Sequence, residues 1–169
     1  SYTKKIFYEI KGYPIIFSNN CFSLMQTEKN NKILLCSCKQ YDSSQKNGIL
    51  YLKIDTKKFE KGEKIREYFY NTGSFQVLCF CPLFVTENNQ IKNSDYFFVG
   101  GYENAQQKGM IKLFKIKYSE NENSIDIQDI IIENGEKSIS FTKRISCIIQ
   151  SKKTGDIVIT SFDGNVYLC

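Results

Sequence analysis

The chain has no histidine, no tryptophan, a single alanine (Ala105) and no apolar run approaching the length of a membrane span. Each absence removes a class of structure or chemistry. Without histidine the commonest general base is missing, and neither a Ser-His nor a Cys-His nucleophile can be assembled from these residues. With one alanine among 169 residues, and an apolar set dominated by isoleucine, phenylalanine and tyrosine, pleated strands are favoured over long helices. Only Lys57 to Tyr70 competes, through Phe59, Ile65, Tyr68 and Phe69, but Gly62 in its middle costs about 1 kcal/mol against alanine. That segment therefore reads as strand or loop. The first residues, Ser-Tyr-Thr-Lys-Lys, carry neither the apolar stretch of a signal peptide nor an initiator methionine. The expectation is an intracellular protein, cytoplasmic or nuclear, and a segment of a longer chain.

What is present is a repeat. Cys21 to Ser37 overlays Ile145 to Ser161 without a gap, placing Leu24 on Ile148, Met25 on Ile149, Gln26 on Gln150, and Ile33, Leu34 and Leu35 on Ile157, Val158 and Ile159. Each half reads as strand, polar turn, strand. A third copy lies between them, with Phe75-Gln-Val-Leu-Cys-Phe-Cys as its first strand and Asp95-Tyr-Phe-Phe-Val-Gly-Gly laid on Asp156-Ile-Val-Ile-Thr-Ser-Phe. The unit thus recurs about every sixty residues, the mark of an architecture in which units bury apolar faces against one another. A third strand follows in each, opened by Gly48, Gly109 and Gly164, and a fourth in two, at Lys64 to Tyr70 and Ile125 to Ile132. Lys4 to Ile10 has the form of a fourth strand whose companions lie elsewhere. Recurrence across the units places Leu24, Ile33, Leu35, Val77, Phe97, Val99, Ile148, Ile157 and Ile159 in the core, with Leu34, Phe98 and Val158 on the opposite face.

Tandem four-stranded antiparallel units resemble the blades of a WD40-like β-propeller, most clearly at Ile157-Val-Ile-Thr-Ser-Phe-Asp-Gly-Asn-Val-Tyr-Leu-Cys, with its Asp-Gly turn between two strands. The family's Gly-His and Trp-Asp pairs are absent, Phe114-Lys115 and Tyr167-Leu168 standing in the latter's place. A looser similarity joins Val77-Leu-Cys, Phe98-Val-Gly-Gly and Lys108 to Ile116 to the last propeller of the cleavage-factor and damage-binding scaffold family. The resemblance implies an all-β fold of about three blades, incomplete as a ring: 1–20 as a preceding fourth strand and linker, 21–73 and 74–138 as blades, and 139–169 as a blade lacking its fourth strand. Closed propellers have at least four or so blades. The open edges are then expected to pair with another segment, a second copy or another subunit.

Seven cysteines raise metal and disulfide readings. Cys36 with Cys38, and Cys79 with Cys81, are two apart, which on a strand points both sulfurs to one face; four converging thiolates would suit zinc. The pairs lie inside apolar strands rather than in the tight turns zinc sites use, and buried cysteine behaves as a small hydrophobe. Core packing, with no metal and no cofactor, is the reading taken. Gly100-Gly101 lacks the spacing of a phosphate loop and leads to a polar turn, so it reads as a close-packed strand exit. The carboxylate pairs Asp126 with Asp129 and Glu120 with Glu122 read as solvated.

Net charge is +5, with basic residues gathered from Lys46 to Arg66 and acidic ones from Glu120 to Glu136. Glu60 and Glu63 interrupt the lysines, so nucleic acid is a secondary reading. Recognition remains, through turn residues with aromatic or charged side chains: Tyr13, Tyr41, Tyr102, Glu103, Arg144, Phe162 and Asp163. Each is also what an ordinary turn would hold, but tyrosine and arginine are enriched where proteins meet. The function expected is a non-catalytic protein-interaction scaffold within a larger complex. The alternatives are a nucleic-acid-associated scaffold and part of a propeller enzyme whose active residues lie in absent segments.

Overall fold

The computed structural model describes residues 21–39, 46–61, 63–88, 90–120, 124–132 and 134–169. Lys4 to Ile10, Tyr13 and Tyr41 lie outside them. The described chain is all-β apart from one short helix, and its strands form three antiparallel sheets. The first holds β1 (Phe22–Gln26), β2 (Lys32–Lys39), β3 (Asn47–Ile54) and, after helix α1 (Thr56–Lys61), β4 (Glu67–Gly73). The second holds β5 (Phe75–Glu87), β6 (Gln90–Glu103), β7 (Gly109–Tyr118) and β8 (Ile125–Ile130), with β9 (Ser138–Phe141) beside β8 on the same edge of β7. The third holds β10 (Ile145–Gln150), β11 (Ile157–Ser161) and β12 (Val166–Leu168). Each runs in sequence order, as expected of antiparallel strands joined by short turns. Among the described residues the sheets do not close on themselves.

The sheets stack face to face with the second in the middle. Its Val77, Phe97, Val99, Phe114 and Ile116 meet Met25, Ile33, Leu35, Ile49 and Tyr51 of the first sheet. Its other face, through Cys79, Cys81, Ile111 and Phe98, meets Ile145, Ile148 and Ile159 of the third. Burial on both faces explains why β6 reads Tyr-Phe-Phe-Val without polar alternation. Polar ties reinforce the first interface. Ser37 Oγ donates to Val77 O at 2.7 Å, the Tyr51 hydroxyl to Asp126 Oδ1 at 3.0 Å, and buried Asp95 accepts from Glu28 N at 3.1 Å and the Tyr118 hydroxyl at 3.3 Å.

Seven of the nine core residues read from the repeat are buried: Ile33, Leu35, Val77, Phe97, Val99, Ile148 and Ile159. Ile157 is half-buried and Leu24 is exposed, its neighbour Met25 taking the core position. Leu24 pairs with Leu34 on the face of the first sheet turned away from the second, and the two overlaid hairpins also differ by one residue. Met25 pairs with Ile33, but Ile149 pairs with Val158, so the connection between β10 and β11 is one residue longer. A one-residue slip turns every side chain to the opposite face. The ladders give a better alignment of the second and third sheets. Both first strands carry a bulge, between Val77 and Cys79 and between Ile145 and Cys147. Matching the bulges puts Gly101 on Ser161, Val99 on Ile159, Phe98 on Val158 and Tyr102 on Phe162.

Three local expectations change. Lys57 to Tyr70 is neither all strand nor all loop: α1 forms because Asp55 caps it, Oδ1 accepting from Lys57 N at 3.0 Å and Lys58 N at 3.3 Å, and it stops one residue before Gly62. The fourth strands are shifted or shorter, β4 beginning at Glu67 and β8 ending at Ile130. Ser138–Phe141 straddles the boundary read between 74–138 and 139–169, and the whole of it pairs with β7 of the second sheet.

Candidate functional site

In an antiparallel meander the turn between the second and third strands lies at the same end as the approach to the first strand. That end of the second and third sheets gathers Tyr102, Arg144, Phe162 and Asp163. Tyr102 is not a tip: it is buried near the end of β6, its hydroxyl donating to Gln76 Oε1 at 2.7 Å. The Arg144 guanidinium sits 4.2 Å from the centre of its ring, and Nη2 donates to Gln107 Oε1 in the turn between β6 and β7. A cation over an aromatic face, held by a further hydrogen bond, is fixed before any partner arrives.

Backbone contacts lock the neighbouring segments. The Phe162 amide donates to Arg144 O at 2.9 Å, so the turn between β11 and β12 hangs from the approach to β10. Gly109 makes the close approach on the other side, since a Cβ there would lie 1.9 Å from Lys143 O. Phe162, 64% exposed, projects from this frame. Beside it Asp163 accepts from the Ser161 hydroxyl and from Asn165 Nδ2 at 2.9 Å, in a turn closed by Gly164 at a φ of 84°. The Ser161 hydroxyl, with the Asn165 amide and the Lys143 charge, holds the Asp163 carboxyl below the usual carboxylate range.

Gln107, Lys143, Arg144, Phe162 and Asp163 together line an open concavity of about 410 Å³. It offers one exposed aromatic ring, two cations and one carboxylate. Glu103 lies at its margin, half-buried, its backbone accepting from Gln107 N at 2.8 Å and donating to Lys108 O at 3.0 Å. Gln107 and Lys143 carried no sequence signal, since they read as ordinary loop residues.

The opposite end has a second concavity that the sequence did not disclose, lined among others by Leu24, Lys32, Phe84, Asn93 and Lys152. Lys152 lies 4.5 Å from the centre of the Phe84 ring. Gln150 fixes that ring's backbone, accepting from Phe84 N at 2.7 Å and donating to Phe84 O at 3.2 Å. Its overlay mate Gln26 does something else, donating to Asn30 at 3.2 Å.

The paired cysteines do not converge. Cys36 and Cys38 lie with Leu50 on the face of the first sheet turned away from the second, whereas Cys79 and Cys81 lie between the second and third sheets. Burial pushes the Cys36 and Cys81 thiols up to about 11 and those of Cys38 and Cys79 to about 12. Among the described residues no helix is long and apolar enough to cross a membrane. Comparison with known protein families, curated proteins and solved structures finds no match to this chain.

Proposed function

We propose that this chain is a non-catalytic protein-interaction scaffold, built from WD40-like propeller blades, that holds a partner at the end where Arg144 and Phe162 lie. The observation that carries the reading is the convergence there of three segments remote in sequence, around Gln107, Arg144 and Phe162, on one rigid frame. Support for blades comes from the ordering of each sheet and from its packing. The sheets touch most closely along their first strands, β5 lying between β1 and β10, and contact thins towards β4 and β8.

The chemistry fits a protein segment with an apolar side chain to cover Phe162 and an acidic group to meet Lys143 and Arg144. Arg144 is held by Tyr102 and Gln107, so little side-chain freedom is lost on binding. The test is the affinity of the chain for the partner recovered with it from its native source. Phe162→Ala is expected to weaken binding at least tenfold, as truncating a central aromatic anchor does, while leaving the urea midpoint unchanged. Undiminished affinity in both Phe162→Ala and Arg144→Ala would place the partner elsewhere.

A further inference from the structure

The three sheets stack head to tail, and the ladder alignment shows which positions of one sheet receive the next. In the second sheet the face turned to the third carries Cys79, Cys81 and Ile111, respectively 0%, 4% and 1% exposed, together with Phe98 and Leu113. The bulge and the pairings Gly100 with Ile111 and Thr160 with Val166 match these to Cys147, Ile149, Val166, Val158 and Leu168 of the third sheet. The residue types are equally apolar. Yet Ile149 is 60%, Val166 68% and Leu168 72% exposed. Ile149, Val158 and Leu168 pair across β10, β11 and β12 in one unbroken row.

We infer that this face of the third sheet is a docking surface for an antiparallel β-sheet of another polypeptide, which seats on it as the third sheet seats on the second. Continuity with the two interfaces already in the stack is the argument: the same positions, with the same chemistry, are covered wherever a following sheet exists. The occupant must present branched aliphatic side chains in the pattern of Ile145, Ile148 and Ile159. Among the described residues a second copy has no full sheet face of this kind to offer. Those of the second and third sheets are engaged within the stack, and on the first sheet the centre of the corresponding face, Cys36, Cys38 and Leu50, is already buried, leaving Phe22 and Leu24 of the edge strand β1 exposed.

Cys169, an exposed thiol next to Leu168, places the probe. The chain is labelled there with a maleimide-linked benzophenone, mixed with extract of its native source and irradiated, and the joined peptides are sequenced. The expected result is capture of one other polypeptide, through strands of alternating aliphatic residues. Capture should fall at least tenfold in Val166→Lys/Leu168→Lys and in Ile149→Lys, and the Val166–Leu168 amides should gain protection from exchange when the captured protein is added back. Near-ultraviolet circular dichroism identifies a variant that fails to fold, in which case Ile149→Lys decides. Phe162→Ala is expected to leave this capture unchanged, which separates the surface from the one around Arg144. Adducts with a second copy or with lipid, no adduct, or capture that persists in Ile149→Lys would overturn the inference.

Discussion

Gly101 shows how little room the stack leaves at single positions. A Cβ there would lie 1.9 Å from Gln76 O, a backbone atom that moves only if β5 moves. Gly101→Ala is expected to cost about 3 kcal/mol, the upper range for overpacking, read as a lowered urea midpoint with unchanged slope. The buried thiols make a second prediction at this scale. Burial raises Cys36, Cys38, Cys79 and Cys81 to about 11 or 12 from an ordinary 9.0. Between those values the unfolded chain binds fewer protons than the folded one, so their contribution is fully present below about pH 9 and falls as pH rises towards 12. Burial pushes the Tyr51 hydroxyl up as well, and it acts in the same direction. Urea midpoints are expected to be flat from about pH 6 to 8.5 and to decline above it. A midpoint that rises across that alkaline range would contradict the burial of these thiols. Their burial was legible in the sequence, because both pairs lie two apart within apolar strands. The sequence could not reveal that Tyr102 is a buried platform, because only the folded chain brings Arg144 over its ring.

At the scale of elements, the strands were legible and their phase was not. Hydrophobic runs and turn glycines located β2, β3, β6 and β7, whose burial is dictated by side chains within each strand. Whether a residue of β1 is buried depends on which sheet packs against its face: Met25 faces the second sheet, whereas Leu24 lies on the opposite face and is exposed. Helix α1 was not legible in the apolar spacing of Lys57 to Tyr70, because its stabilisation comes from the preceding Asp55. Between elements, Asp95 ties the β1–β2 turn of the first sheet to β6 and β7 through Glu28 N and Tyr118. Asp95→Ala leaves the part-buried Glu28 amide and the Tyr118 hydroxyl without this partner and is expected to cost about 1 kcal/mol, with loss of amide protection at Glu28 before the rest of the sheet. Gln150 does the same for the second interface, standing in for a strand partner at Phe84. Gln150→Ala is expected to raise exchange at Phe84 selectively, and unchanged protection there would contradict the role given to it.

For the whole molecule, the repeat announced sheets that bury one another, and the stack of three is that statement in three dimensions. The site was legible only in part. Arg144, Phe162 and Asp163 stood out as turn residues of suitable chemistry, but their meeting with Gln107 and Lys143 follows from head-to-tail packing, which no single strand encodes. The central claim is that partner recognition belongs to this end and not to the opposite one around Phe84 and Lys152. Hydroxyl-radical footprinting of the chain, free and within its native complex, tests that most directly. The account predicts protection of Phe162 on complex formation, with Phe84, Val85 and Ile91 at the far end reacting as in the free chain. Protection of Phe84, Val85 and Ile91, with Phe162 as reactive as before, would contradict it.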